Sequence, residues 1–119
     1  MKSLYLALVL TIISFSVAAE LRIEAYKAPF HVGEKVMACG TVKQVSSKKT
    51  AHFLNLDKPY PNQTLTLLIW NSDISGFEKR FGNLDNFKNQ KVCARGKITE
   101  YNNSLQIILS NPQFLRLMK

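Results

Sequence analysis

Acidic residues are scarce in this 119-residue chain: eight Asp and Glu stand against sixteen Lys and Arg, for a net charge of +8. None of the eight forms an obvious pair on one face, so general acid–base chemistry on paired carboxylates has little to build on. Histidine and cysteine occur only twice each, as His31, His52, Cys39 and Cys93. They form no C-x-x-C pair and no ligand spacing, which argues against a metal site. No Ser-His-Asp, H-x-E or phosphate-loop pattern occurs, so no catalytic residue and no cofactor is assigned and a non-enzyme is expected. With 46% hydrophobic and 20% charged residues, the chain is not disordered.

Long apolar runs are also missing, with one exception. Leu4 to Val17 carries no charge, follows the basic start Met1-Lys2-Ser3 and ends in the small residues Val17-Ala18-Ala19. That arrangement reads as a signal peptide over residues 1–19 and is too short for a comfortable membrane span. Removing the first 19 of 119 residues leaves 100. Lys2 is the only charge lost, so +8 becomes +7. The residue directly after Ala19 is Glu20, not a cysteine, which argues against a lipid anchor. The expectation is a small, basic, soluble protein exported to the periplasm or medium, with no membrane contact after cleavage.

The remainder is organised by period-two alternation. Residues 20–31 read as a leader, partly extended or helical, and residues 32–119 as one domain. After the turn Val32-Gly33-Glu34, Val36, Ala38, Gly40 and Val42 share one strand face, and Met37, Cys39, Thr41 and Lys43 the other. Ser46 to Lys49 turns the chain into a second strand, Ala51 to Leu56. The loop formers Asp57 to Asn62 lead to an almost continuous apolar strand, Thr64 to Trp70. Ser72 or Asp73 then caps a helix with Ile74, Phe77 and Phe81 on one side and Gly82 as its stop. Lys91 to Tyr101 reads as a fourth strand, with Gly96 in mid-face. Asn102-Asn103 is a tight turn, Leu105 to Leu109 a fifth strand, and Phe114 to Lys119 a basic tail.

Five strands with a helix between the third and fourth describe an all-β, five-stranded Greek-key barrel of the oligonucleotide/oligosaccharide-binding (OB) fold. Glycine in mid-strand, at Gly40 and Gly96, fits a sheet that bends sharply or lets backbone come close. An open antiparallel α+β sheet is the rival architecture.

Particular segments also resemble a family of small bacterial exported OB-fold nucleic-acid-binding domains, which are found attached to secreted nucleases as well. They are Val32-Gly33-Glu34, Gly40-Thr41-Val42, Phe53-Leu54-Asn55-Leu56, Tyr60-Pro61-Asn62-Gln63, Thr66 to Trp70, Gly96-Lys97-Ile98, and Gln106 to Leu109 ending at Asn111-Pro112. The resemblance runs over residues 32–115 and implies a barrel that binds nucleic acid. Cys39 and Cys93 depart from the family, whose members often carry charges there.

Candidate contacts follow from the chemistry of single strands. Lys43, Lys48, Lys49, Arg95 and Lys97 are candidates to neutralise phosphates, against a plain solvated surface. Phe53, Tyr60, Trp70 and Tyr101 are candidates to stack on bases. Phe77, Phe81 and Phe87 are assigned to the core. A lone Trp in a small domain is more often core than platform, so Trp70 carries both readings. His52 contacts phosphate or a base edge, or idles at the surface. Asn55 hydrogen-bonds a base or satisfies a backbone bulge. Single-stranded DNA or RNA is the expected partner; an envelope protein or anionic glycan is the alternative, and a small hydrolase with scattered residues a distant third.

The cysteines close the reading. If Gly40 and Gly96 face the interior, Cys39 and Cys93 both point outward. In an OB barrel the strands that carry them are antiparallel neighbours, so a disulfide between directly opposed residues is expected.

Overall fold

Strand β2 (Lys35–Ser47) organises the molecule, because it is long enough to serve two sheets. The computed structural model describes residues 20–118; the expected signal segment lies outside the described residues. The N-terminal half of β2 pairs antiparallel with β5 (Lys91–Lys97) and parallel with β1 (Arg22–Glu24). Its C-terminal half pairs antiparallel with β3 (Ala51–Leu56).

The change of partner falls on one residue. Val42 faces Leu56 and Gln44 faces Asn55, so Lys43 is an extra residue that has no counterpart on β3. A bulge of this kind bends the strand and increases its twist. It also reverses the alternation: even-numbered residues face inward from Val36 to Val42, while Gln44 and Ser46 face outward.

From β3 the sheet continues through β4 (Leu65–Trp70), β7 (Ser104–Ile108) and β6 (Thr99–Tyr101). The expected fourth strand is thus two strands, β5 and β6, separated by Ile98 alone. One extends the sheet from β2 and the other ends it beside β7, so the run 91–101 links the two sides of the sheet. Ile98 bonds instead to the turn that opens the domain: its N–H donates to the Glu34 carbonyl, and its own carbonyl accepts from Gly33. The expected basic tail is also a strand, β8 (Leu115–Met118), antiparallel to β5 with Leu115 buried. Alternating Leu115 and Leu117 with Arg116 was the strand signal in that tail. Among the described residues the fold therefore has eight strands where five were expected.

The core fills the space this sheet encloses. Val36, Ala38, Val42, Leu54, Leu56, Leu65, Leu67, Ile69, Val92, Ala94, Ile98 and Ile107 are all buried. Residues 20–31 belong to it too. They form β1 and a 3-10 helix (Ala25–Phe30) that sinks Ile23, Ala25 and Ala28 into the same cluster.

Helix α1 (Ile74–Phe81) lies between β4 and β5 and buries Phe77. Gly82 stops it at φ +78°, its N–H donating to the Glu78 carbonyl. The expected side-chain cap is absent. Asp73 occupies the cap position without a hydrogen bond, because a 3-10 turn (Asn71–Asp73) feeds the helix. Phe81 packs edge-on against Phe87, ring centroids 5.1 Å apart. No helix of the described residues is long and apolar enough to cross a membrane.

Candidate nucleic-acid interface

Register determines which side chains share a face, since directly paired residues point to the same side of a sheet. Across β2, β3, β4 and β7, one outward row reads Ser46, Phe53, Leu68 and Ile108. The next reads Gln44, Asn55, Thr66 and Gln106, and Thr99 of β6 extends it. Two residues further along their strands, Trp70 and Tyr101 fall on the same side. No carboxylate stands in these rows.

The two rows differ in character. Ile108 and Trp70 are 43% and 42% exposed, and Tyr101 is 64% exposed. Trp70 is therefore not a core residue, although it follows five buried positions on β4. Phe53 is half-buried, and the Lys48 ammonium sits 5.9 Å from the centre of its ring, within cation–π range. Lys48 and Lys49 form the β2–β3 turn at one end of the face. Asn102 and Asn103, at φ +47° and +62°, form the β6–β7 turn beside Tyr101.

The second row is a chain of side-chain hydrogen bonds. Gln63 Nε2 donates to Thr66 Oγ1 (3.1 Å), Thr66 Oγ1 donates to Asn55 Oδ1 (2.8 Å), and Asn55 Nδ2 donates to Gln44 Oε1 (2.9 Å). Asn55 and Thr66 are buried, and this ladder satisfies them where water cannot. The Asn55 amide is thereby engaged within the protein, opposite the bulge. Gln44 Oε1 accepts a second bond from the Tyr60 backbone N–H (2.8 Å), which draws the 57–64 loop toward the bulge.

Other features of that loop have local causes. The Asp57 carboxylate accepts from the Thr41 N–H (3.1 Å) and from the Thr64 hydroxyl (2.6 Å), pinning both ends. The Tyr60-Pro61 peptide is cis. Tyr60 itself is 67% exposed.

The candidates thus divide. Lys48, Lys49, Phe53, Asn55, Trp70 and Tyr101 come together on or beside one face. Lys43 and Tyr60 both lie at the bulge end of that face, on either side of Gln44. His52 alternates to the opposite side of β3 from Phe53 and contacts Asn71 Oδ1 at 3.2 Å.

Arg95 and Lys97 belong to a different wall. They lie on the outward side of β1, β2, β5 and β8, where Lys35 opposes Lys97 and the row Glu24, Cys39, Cys93, Arg116 crosses four strands. Arg95 is ion-paired with Glu20, and Lys91 with Glu24 at 3.8 Å.

On that wall Cys39 and Cys93 are directly opposed and joined by a disulfide, S–S 2.02 Å. Both are buried, so this outward side is not open to solvent at the bridge. Sequence reasoning missed Gln44, Thr66, Ile108 and Gln106. Gln44 was hidden by the bulge, which moves it off the face that simple alternation gives it.

No protein-family model matches the chain, and no curated protein does. Its shape is nevertheless similar to that of solved structures. One is the S. pombe Stn1-ten1 complex, at TM-score 0.52 and 15% identity over 71% of this chain and 58% of that one. Another is OBody AM3L15 bound to hen egg-white lysozyme, at TM-score 0.56 and 10% identity over 80% of this chain and 91% of that one. A third is a putative aspartyl-tRNA synthetase from Leishmania major Friedlin, at TM-score 0.54 and 10% identity over 89% of this chain. The chain spans little more than half of the matched Stn1-ten1 chain and 22% of the synthetase chain. At these identities the likeness concerns architecture: a mostly-β fold of the OB type.

Proposed function

We propose that this chain is a binding module, not an enzyme, that holds single-stranded or flexible nucleic acid on the outward face of β2, β3, β4 and β7. The observation that carries the reading is a carboxylate-free face on which Phe53, Trp70, Tyr101 and Ile108 stand beside a two-lysine turn. Stacking on aromatic faces tolerates any base, and lysines neutralise the backbone without reading sequence. Little sequence preference follows. The five-stranded Greek-key core of this reading is β2, β3, β4, the run β5–β6, and β7, with α1 between the third and fourth. Export to the periplasm or medium belongs to the same proposal, supported by the apolar run before Ala19 and the disulfide.

Fluorescence anisotropy with labelled oligonucleotides at two salt concentrations tests it. Single strands should bind at low salt and weaken as salt rises. If no oligonucleotide of any type binds at low salt, the reading is wrong. A protein or anionic-glycan partner is the second reading, favoured by the opposite wall, where Lys35, Lys97 and Arg116 stand without an aromatic neighbour in their rows.

A further inference from the structure

Beside the bulge lies a groove of about 420 Å³ lined by Lys43, Gln44, Val45, Pro59, Asp85 and Lys88. Three pieces of chain build it. Backbone bonds tie segment 88–90 to β2: Asn89 N–H donates to the Val42 carbonyl (2.7 Å), and Val42 N–H donates to that of Gln90 (2.9 Å). This places Lys88 next to the extra residue Lys43. On the other side, the bond from Tyr60 N–H to Gln44 Oε1 holds Pro59 and Tyr60 at the rim.

The orientation of Gln44 follows from chemistry. A backbone N–H can only donate, so the atom facing Tyr60 must be the amide oxygen. With Asn55 also donating to that oxygen, the amino group of Gln44 keeps both hydrogens, and it makes no hydrogen bond among the described residues. The groove therefore offers one oriented amide donor, two ammonium groups, one carboxylate acceptor and an apolar lining of Val45 and Pro59.

We propose that this groove takes one nucleotide unit of the bound strand, its phosphate on Lys43 and Lys88 and its base against Pro59. The proposal rests on the nucleic-acid reading above and extends it past the stacking face. Asp85 sets the ligand class. A carboxylate opposes a dense polyanion, but accepts from the N–H groups of a nucleobase. Gln44 joins the groove to the ladder of the stacking face, so one strand can occupy both.

The test is a titration of the isotopically labelled protein with adenosine monophosphate, followed by amide NMR, with inorganic phosphate as the comparison. Adenosine monophosphate should shift the Gln44 side-chain amide and the Tyr60 N–H. These shifts should vanish in the Lys43→Ala/Lys88→Ala variant and persist in Phe53→Ala. The same double variant should bind single strands about tenfold more weakly, with a salt slope reduced by roughly 0.7, for the one phosphate left without its lysines. Equal shifts from inorganic phosphate would make this an anion site and overturn the proposal. So would shifts confined to Phe53 and Trp70, or unchanged oligonucleotide affinity in the double variant, while the stacking face would stand. If neither the mononucleotide nor any oligonucleotide binds, the functional reading fails and the groove assignment with it.

Discussion

Gly96 on β5 lies so close to Ile107 on β7 that a Cβ built on it would sit 2.5 Å from the Ile107 Cγ2. Real Cβ atoms do not approach that closely, and Ile107 is fully buried with no room to retreat. Gly96→Ala should destabilise the protein by about 1–3 kcal/mol. Gly76, inside α1, is the control: its added Cβ would meet only Pro112, at 3.7 Å. Gly76→Ala should stabilise by roughly 0.4–1 kcal/mol, through helix propensity and a less free unfolded chain. Urea unfolding of both variants checks the pair. A neutral Gly96→Ala would mean that the close approach of β5 to β7 is not real.

The ladder through Asn55 gives the second prediction. Asn55→Ala removes the donor to Gln44 and the acceptor for Thr66 together, leaving the buried Thr66 hydroxyl, which still accepts from Gln63, with no acceptor for its own proton. An unsatisfied buried polar group costs about 1–3 kcal/mol, so the loss should fall in that range. Asn55→Ala combined with Thr66→Val should recover part of it, because no orphaned hydroxyl remains. A double-mutant cycle in urea unfolding measures that recovery, and strict additivity would show that the ladder carries no coupling.

The disulfide between Cys39 and Cys93 spans 54 residues of sequence, and both sulfurs are buried. Cys39→Ala/Cys93→Ala should lower stability by about 2–4 kcal/mol, chiefly because the unfolded chain gains freedom. Unreduced protein, unfolded in denaturant, should show no reactive thiol. Two thiols per chain there would refute the bridge.

Binding should separate the two walls. Phe53→Ala and Trp70→Ala should each weaken single-strand binding by roughly 1–3 kcal/mol, with less effect on duplex. Lys48→Ala/Lys49→Ala should weaken all sequences alike and flatten the salt dependence. Arg95→Ala/Lys97→Ala, on the far wall, should leave the affinity for short oligonucleotides unchanged. Anisotropy titrations with one short oligonucleotide compare all four variants. A loss in the last variant equal to that of the lysine turn would move the site to the far wall.

Much of the barrel was legible because its strands alternate cleanly. The phase of Ala38, Gly40, Ala94 and Gly96 was enough to oppose Cys39 and Cys93, and at Gly96 it is the Ile107 side chain that comes close. Asn102-Asn103 named its own turn through the tolerance of asparagine for positive φ.

What failed depended on backbone events that side chains do not advertise. The break at Ile98 keeps the apolar pattern intact, so β5 and β6 read as one strand. The short strands β1 and β8 are edge elements whose pairing comes from partners distant in sequence. Of the residues that type alone selects, Phe53, Trp70 and Tyr101 share one face, whereas Arg95 and Lys97 lie on the other wall. Charge says nothing about which wall of a barrel it occupies.

At Lys43 the chain carries a count as well as a charge. The side chain is exposed, and the alternation reverses there, so deleting it would leave Val42 inward and Gln44 outward, still opposite Leu56 and Asn55. Every cross-strand pair would survive on paper. The loss would be the corner that lets one strand belong to two sheets, and with it the alignment of segment 88–90 against the 57–64 loop. Across descendants of this chain, the number of residues between Val42 and Gln44 is thus held at one by the corner, a constraint separate from the one that the groove places on the charge at position 43.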